Sequence, residues 1–242
     1  MSYPPEPWHL RGQMYLSVWS VPRSELPPLP EGLSHVVRPV TLGGRGLVGT
    51  AWIEYQPGGV LQYRELLTAV LVRARARTGV TITDIWVDSP VSRDGGRELW
   101  GIPKEMADLE IAAETVPTGR DVIEAAAHTA SRMIAQGRVQ RGMRLPGRWP
   151  FRFTVTQLLI SDVRSTPVRG RAGLTTATAR WTIEPGGPMG RLAHRRPMIT
   201  LALRDFQLTF GTAGGQSDGA TGEGPVGPDA GREMPSGPQD RT

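Results

Sequence analysis

The pattern of apolar and polar residues along the chain predicts a protein built mainly from β-strands. Six segments are rich in β-branched and aromatic residues and are bounded by glycine, proline or aspartate, which is typical of strands. They cover residues 14–21, 47–54, 80–87, 151–160, 173–183 and 198–210. The 30 glycines and 22 prolines supply the many turns that short strands need. We therefore expect a mainly β (α+β) fold with few helices.

Two further segments combine strand and helix signals. Residues 62–77 begin with good helix formers and end with Arg73, Arg75 and Arg77 at alternate positions. This alternation would place the three arginines on one face of a strand, so we predict a helical start and an extended end. Residues 121–136 are rich in alanine and glutamate, which favours a helix on propensity alone.

The composition changes near residue 211. Residues 211–242 contain nine glycines and four prolines but almost no large apolar residue, so they cannot bury enough surface to offset their ordering entropy. We predict one domain over residues 1–210 and a disordered tail over residues 211–242. The tail carries five acidic residues against two arginines, so the net charge of +5 for the whole chain corresponds to about +8 for the domain.

Composition also removes support from several functional classes. The chain has no cysteine, which excludes disulfides, thiolate nucleophiles and Cys-ligated zinc. No apolar run approaches the roughly 20 residues of a membrane span, and residues 1–10 lack the apolar core of a secretory signal, so we expect a cytoplasmic protein with no membrane partner. The arginines are scattered and aromatic residues make up only 6% of the chain, which argues against a nucleic-acid partner.

Familiar cofactor and hydrolase motifs are missing from the sequence. The four histidines stand apart from one another and show no metal-ligand spacing. The sequence contains no GxSxG elbow, no Walker loop and no GxGxxG after a strand. We therefore expect no metal and no cofactor, and the nucleophile must be an oxygen, an imidazole or an amine.

One amine stands out in the sequence. Of the 28 basic residues, 27 are arginines and one is a lysine, Lys104. A strand that ends near residue 88 and a turn at Gly95-Gly96 precede this lysine, which bulky apolar residues flank: Trp100, Ile102 and Met106. Burial among them would lower the pKa of Lys104 and favour the neutral amine that attacks a ketone. The alternative is that Lys104 extends its head to water from an apolar-flanked strand, as most lysines do.

The residues around Lys104 resemble a known family. Residues 96–104, GRELWGIPK, resemble the signature of the acetoacetate decarboxylase family, Gly-Arg-Glu followed by Pro-Lys, whose lysine forms a Schiff base with a β-keto acid. Residues 60–65, VLQYRE, resemble the segment with the family's active-site glutamate, which maps to Glu65. Residues 8–11, WHLR, resemble the segment with its active-site arginine, which maps to Arg11.

The resemblance implies a single barrel-like, antiparallel β domain that assembles into a homo-oligomer and acts on a small keto acid. Lys104 would add to the carbonyl, Glu65 would move protons and Arg11 would hold a carboxylate by paired hydrogen bonds. Arg97 and Glu98 would hold the turn before Lys104. The residues that bind the substrate or line its pocket would be Tyr63, Trp86, Arg97, Trp100 and Ile102.

One position departs from the family. The decarboxylase has a second lysine directly after the Schiff-base lysine, and this chain has Glu105. A cation there would lower the pKa of Lys104 and a carboxylate would raise it, although in a strand the two side chains would point to opposite faces. We predict decarboxylation of a β-keto acid such as acetoacetate. The alternatives are an aldolase-dehydratase that condenses pyruvate with an aldehyde, and a non-catalytic module that binds an anionic metabolite.

Overall fold

The computed structural model describes residues 2–74, 77–115 and 121–212. β-Strands dominate these ranges, and all of them belong to one continuous sheet. The strands are β1 (Trp8–Pro22), β2 (Val37–Pro39), β3 (Thr41–Leu42), β4 (Arg45–Tyr55), β5 (Tyr63–Ala74), β6 (Arg77–Val87), β7 (Lys104–Met106), β8 (Asp108–Thr115), β9 (Asp121–Thr129), β10 (Arg132–Arg144), β11 (Trp149–Leu159), β12 (Asp162–Ile183) and β13 (Ile199–Phe210).

Helical segments are short and few in the described ranges. They are α1 (Glu31–Ser34), α2 (Pro90–Trp100) and 3-10 turns at Arg23–Glu25 and Gly190–Leu192. The prediction of only a turn around Gly95-Gly96 is wrong, because both glycines lie inside α2. Ser89 caps the start of this helix, and Pro90 occupies its first position, where a missing N–H costs nothing. In the described part of the chain, no helix is long and apolar enough to cross a membrane.

Seven strands form a barrel-like ring. Hydrogen-bonded neighbours follow the order β11, β6, β5, β4, β1, β13 and β12, and β11 also pairs with β12, which closes the path. The neighbours are antiparallel except for β11 and β6, which meet in parallel at Val155 and Val80. A side chain reinforces this junction, since Gln157 Nε2 donates to the carbonyl oxygen of Ile82 at 3.0 Å.

A hydrophobic cluster fills the interior of the ring, and we call it the inner cluster. Trp100 and Ile102, from the end of α2 and the turn after it, belong to it. Because this interior is apolar, a polar group placed there needs a partner from the protein itself. Every strand of the ring contributes buried side chains to it, for example Trp8, Leu10, Tyr55, Tyr63, Ile85, Val155, Val168 and Phe206.

A second hydrophobic cluster, the outer cluster, lies on the other face of β4, β5 and β6. Trp52, Leu66 and Trp86 point to this face and pack with side chains of β9 and β10 such as Ile123 and Ile134. Strands β8, β9 and β10 form an antiparallel layer that covers it. The central strands of the ring are therefore buried on both faces.

The six strand predictions are confirmed, with boundary shifts of a few residues. Residues 14–21, 47–54 and 80–87 lie within β1, β4 and β6, and residues 151–160, 173–183 and 198–210 correspond to β11, the second half of β12, and β13. The mainly β fold class with few helices is likewise confirmed.

The predicted helical start of residues 62–77 is wrong. Tyr63–Ala74 is the continuous strand β5, and residues 75 and 76 lie outside the described ranges. Alternate side chains of β5 serve the two clusters, with Tyr63 in the inner cluster and Leu66 and Val70 in the outer cluster. Burial on both faces produces a nearly continuous apolar run, which periodicity alone cannot separate from a buried helix.

The predicted helix over residues 121–136 is also wrong. The segment contains β9 and the start of β10, joined by a turn at residues 130–131. Ala125 and Ala127 are buried in the outer cluster, while Glu124 points to the opposite face and forms an ion pair with Arg138. Packing of the alternate alanines against the sheet outweighs their helix propensity.

The tail predicted over residues 211–242 falls, from residue 213 onward, outside the described ranges. The described chain ends just after β13, where the Gly211 N–H donates to the carbonyl oxygen of Pro167 at 3.1 Å. The division into a domain over residues 1–210 and a disordered tail stays a prediction.

Gly79 offers a test of ring closure. A Cβ added there would lie 2.5 Å from the carbonyl oxygen of Thr154 on β11, so Gly79→Ala must push β6 and β11 apart. We expect this change to lower the free energy of unfolding by about 1–3 kcal/mol, as overpacking does, in urea denaturation. Gly186→Ala is the matched control, because no atom lies within 4 Å of its added Cβ. Equal losses in both variants would contradict the closure.

Candidate active site

Lys104 lies inside the ring. It begins β7, which pairs in parallel with β6 so that Lys104 is opposite Ile85 and Glu105 is opposite Trp86. Ile85 belongs to the inner cluster, and Lys104 shares its face of the sheet. Only 4% of the surface of Lys104 is exposed. Its amine is therefore enclosed by protein and does not extend to water.

The helix α2 and the turn after it bring Lys104 to this position. Ser89 caps the start of α2, and Gly101 ends it with a φ of 65°, a left-handed conformation that glycine adopts readily. The N–H of Ile102 then donates to the carbonyl oxygen of Gly96 at 3.0 Å. This bond reverses the chain, so that β7 runs back beside the helix.

Gly96 makes room for the Lys104 side chain. A Cβ at position 96 would lie 2.7 Å from Lys104 Cδ and 2.9 Å from Cε, which is closer than carbon atoms approach without bonding. The glycine of the Gly-Arg-Glu sequence thus has a steric role: α2 can pack against the stem of the lysine only where the helix has no side chain.

The Lys104 amine has three hydrogen-bond partners. Nζ donates to Ser92 Oγ at 2.8 Å, to Glu65 Oε2 at 3.0 Å and to Tyr63 Oη at 3.3 Å. Ser92 is 0% exposed and Glu65 is 3% exposed. An ammonium group carries three N–H donors, so this arrangement satisfies each of them and stabilises the charged form of the lysine.

The Glu65 carboxylate is held from both sides. Its Oε1 accepts a hydrogen bond from Tyr55 Oη at 3.3 Å, while Oε2 binds Lys104. Tyr55 stacks on Tyr63 with ring centroids 4.3 Å apart and planes inclined by 28°. The two tyrosines therefore form a wall beside the ion pair and fix the carboxylate against the amine.

The pKa of Lys104 lies above its ordinary value of 10.5. Burial lowers this pKa, but the charge of Glu65 and the hydrogen bonds from Nζ to Glu65 and Tyr63 raise it further than burial lowers it. The prediction of a lowered pKa is thus wrong for the protein without substrate. That prediction included burial and could not include a carboxylate 39 residues away in the chain.

The hydroxyl groups of both tyrosines beside the ion pair are hard to ionise. Burial raises the pKa of Tyr63 to about 12, although the Lys104 charge opposes the shift. Burial and the Glu65 charge raise the pKa of Tyr55 well above its ordinary value. Both hydroxyls consequently stay protonated near neutral pH and can donate hydrogen bonds.

Arg97 supports Lys104 from outside the inner cluster. Its Nε donates to the carbonyl oxygen of Lys104 at 2.6 Å, and its guanidinium pairs with the exposed Glu105 carboxylate. The side chain is about half exposed, and a role of Arg97 in binding substrate stays a prediction. Glu105 points away from Lys104 and is bound to Arg97, which separates its charge from the amine.

Arg11 and Trp86 are not brought to Lys104. Arg11 is exposed: Trp8 and Leu10 point into the inner cluster, and Arg11 lies on the opposite face of β1. Trp86 is buried in the outer cluster, on the face of β6 opposite Ile85. Strand alternation places Arg11 outside the ring and Trp86 in the outer cluster, and the roles expected of them stay predictions.

Tyr63, Trp100 and Ile102 do lie in the inner cluster with the ion pair. Tyr63 contacts Lys104 directly, with Nζ 4.9 Å from the centre of its ring. Trp100 packs edge-on against Trp8 at 4.8 Å and donates its indole N–H to Glu6 at 2.8 Å. It therefore forms part of the wall around the ion pair.

Sequence reasoning missed Ser92 and Tyr55. Ser92 lies four residues before Gly96 on α2, so both face Lys104 once the helix is formed. The Ser89-Pro90 pair is a helix-start signal that would have revealed this spacing. Tyr55 could not be found in this way, because its contact with Glu65 depends on the pairing of β4 with β5.

The arrangement has the components of amine chemistry. A buried amine lies within proton-transfer distance of a carboxylate, and two hydroxyl groups stand beside it. In the part of the chain that the structure describes, no group of three or more His, Asp or Glu side chains is arranged to hold a metal ion.

Solved structures with a similar fold include enzymes of two kinds. An acetoacetate decarboxylase from Legionella pneumophila is 16% identical over 87% of each chain, with a TM-score of 0.65. The enduracididine biosynthesis enzyme MppR complexed with pyruvate is 17% identical over 86% of this chain and 88% of its own, with a TM-score of 0.60. An acetoacetate decarboxylase-like enzyme from Sphingomonas wittichii RW1 is 13% identical over 86% and 91%, with a TM-score of 0.59.

The sequence itself identifies the family. No curated protein matches the chain. The model of the acetoacetate decarboxylase (ADC) family, however, matches residues 14–170, a range that includes Glu65, Ser92, Gly96 and Lys104 and leaves out Arg11. The match covers more than half of the chain, which therefore belongs to the acetoacetate decarboxylase family.

Proposed function

We propose that the protein is a lyase that forms a Schiff base between Lys104 and a small keto acid and decarboxylates a β-keto acid such as acetoacetate. The observation that carries this proposal is the buried contact of 3.0 Å between Lys104 Nζ and Glu65 Oε2. A buried ion pair contributes little to stability on balance, because desolvation offsets the attraction. Its presence in an otherwise apolar interior therefore favours a chemical role.

The first step of the proposed reaction is a proton transfer. Lys104 must lose a proton before its lone pair can attack a carbonyl carbon, and Glu65 is the carboxylate within reach to accept it. The transfer converts an ion pair into a neutral amine and a neutral acid, a pair that an apolar interior tolerates well. A keto acid bound beside the pair would keep solvent away from it and strengthen this preference.

The next steps form the imine and break the carbon–carbon bond. The amine adds to the keto carbon, the carbinolamine loses water with a proton from Glu65, and a protonated imine results. The bond to the carboxylate carbon then breaks, its electron pair moves to the imine nitrogen, and carbon dioxide leaves. Protonation of the enamine carbon and hydrolysis of the imine release the ketone and regenerate Lys104. Ser92 and Tyr63, which contact the amine, would hold the carbinolamine oxygen.

A second candidate is an aldolase-dehydratase reaction through the same imine. In it the pyruvate imine loses a proton from its methyl carbon, and the enamine attacks an aldehyde before water is lost. Glu65 favours this candidate, because removal of a methyl proton needs a base and decarboxylation does not. The similar MppR enzyme is complexed with pyruvate in its solved structure.

Borohydride trapping tests the imine, and two further assays separate the two reactions. We expect acetoacetate or pyruvate with borohydride to add mass to one peptide, that containing Lys104, and Lys104→Met to abolish the addition. Release of carbon dioxide from acetoacetate would identify the decarboxylase. Exchange of pyruvate methyl protons in heavy water, with condensation after an aldehyde is added, would identify the second candidate. Failure of both keto acids to label Lys104 would refute the proposal.

The pKa of Lys104 reports on the proton acceptor. In Glu65→Gln the largest influence that raises this pKa is lost while burial remains, so we expect the pKa to fall relative to the wild type. Although a lower pKa favours the neutral amine, the rate of imine formation should drop by about 10²–10⁴-fold, because Glu65→Gln removes the general base. The single lysine gives one resonance in protein labelled with [¹³Cε]lysine, and its titration yields the pKa directly.

Glu105→Gln is the matched control for this titration. It removes a carboxylate that is adjacent in sequence but faces away from Lys104 and is bound to Arg97. We expect an unchanged pKa for Lys104 and near wild-type rates. If the pKa of Lys104 moved in Glu105→Gln and stayed constant in Glu65→Gln, Glu105 and not Glu65 would be the partner of the amine.

Ser92 is expected to act on the chemistry as well as on stability. Ser92→Ala removes the hydroxyl group that we propose holds the carbinolamine oxygen, and we expect imine formation to slow by about 10²–10³-fold. Ser17→Ala is the control, because Ser17 is equally buried and its hydroxyl bonds Thr200 at 2.9 Å. Both variants should lose about 1–3 kcal/mol of unfolding free energy. Equal imine-formation rates in the two variants would assign Ser92 a structural role only.

A further inference from the structure

A second polar feature lies apart from Lys104, in a groove of about 880 Å³ on the ring wall formed by β1, β11, β12 and β13. Neither Lys104 nor Glu65 lines it. Four arginines do, all of them exposed: Arg11, Arg152, Arg169 and Arg171. His9 stands beside them, and the lining includes no aspartate or glutamate. The groove is therefore strongly cationic.

The strand register arranges these side chains in two rows. In the first row Arg152 is opposite Arg169, which is opposite Thr209. In the second row Arg171 and Arg11 lie on the two sides of Gln207, which pairs with both. Adjacent strands lie about 4.8 Å apart and the two rows about 7 Å apart. The groove thus presents two cationic centres, each within reach of two guanidinium groups.

Nothing in the described ranges, 2–74, 77–115 and 121–212, neutralises this charge. The ion pairs found there involve other arginines, and none includes a member of the two rows. Like charges directly opposite each other on a sheet are destabilising, and Arg152 and Arg169 are such a pair. An unrelieved repulsion of this kind is what an anionic ligand would remove.

We propose that the groove binds a small organic polyanion that carries two separate anionic groups, with phosphate groups as the best match. Arginine recognises phosphate by paired, charge-assisted hydrogen bonds. One group would lie between Arg152 and Arg169, and the other would lie over Gln207 between Arg171 and Arg11. The proposal assigns Arg11 to this groove and does not depend on the chemistry of Lys104.

The shape of the groove favours a small ligand over a nucleic acid. Its volume falls within the range of pockets for small molecules, about 300–1,000 Å³. Nucleic-acid surfaces add stacked aromatic side chains to their positive charge, and here Phe151 is the aromatic residue in the lining. Phe151 is itself held against the β12 backbone, since its ring would lie 2.8 Å from a Cβ at Gly170.

Calorimetric titration of the full chain with inorganic tripolyphosphate tests the site. At constant ionic strength we expect tripolyphosphate to bind at least tenfold more tightly than monophosphate. The double variant R152Q/R169Q should bind at least tenfold more weakly than the wild type. Arg38→Gln is the matched control, because it removes an exposed arginine outside the groove, and it should bind as the wild type does.

Two further readouts separate the outcomes. R152Q/R169Q should melt no lower than the wild type without ligand and should lose the rise in melting temperature that tripolyphosphate causes. Its borohydride labelling at Lys104 should stay unchanged, which separates this site from the lyase proposal. Unchanged tripolyphosphate affinity in R152Q/R169Q, or equal affinity for monophosphate and tripolyphosphate, would overturn the inference. Tighter binding of duplex DNA than of tripolyphosphate, lost in the same variant, would replace the small ligand with a nucleic acid.

Discussion

The buried ion pair between Lys104 and Glu65 is the constraint on which the candidate site depends. Two charges can remain in an apolar interior only if each finds partners within hydrogen-bond distance. Three acceptors surround the Lys104 amine, and Tyr55 and Lys104 engage the two oxygens of Glu65. The strands and the helix that supply these partners must therefore meet at fixed positions, which links the chemistry of the site to closure of the ring.

The site depends on both local sequence and long-range strand pairing. The motif around Gly96 and Lys104 sets the helix, the tight turn and the steric gap through which the lysine passes. Glu65 arrives from β5, and its register against β4 and β6 determines which of its neighbours face inward. A shift of one residue in that register would turn Glu65 toward the outer cluster and leave Lys104 charged and unpaired.

Features set by local sequence could be predicted, and features set by long-range pairing could not. Strands with clear alternation and bounding turns were recognisable, and the motif at residues 96–104 indicated the family. A helix was predicted for the start of β5 because burial on both faces produces an apolar run without a strand period. A helix was predicted for the β9–β10 hairpin because its alanines favour a helix on propensity alone. The predicted pKa direction of Lys104 failed because the distance to Glu65 is a property of the fold. The positions of Arg11 and Trp86 away from Lys104 could not be predicted either, because the face on which a side chain lies depends on the strand register.

The proposed chemistry also explains how the chain can operate with Glu105 where the decarboxylase has a second lysine. A neighbouring cation repels the ammonium group and so lowers the pKa of the lysine. This effect is present before the substrate binds. A carboxylate partner does the opposite in the resting protein, yet it offers a site to which the proton can move. Transfer of the proton within the pair leaves a neutral amine and a neutral acid, both of which an apolar interior tolerates. In the proposed mechanism Glu65 would keep Lys104 protonated at rest and accept its proton when a keto acid binds, so imine formation would not need a second lysine.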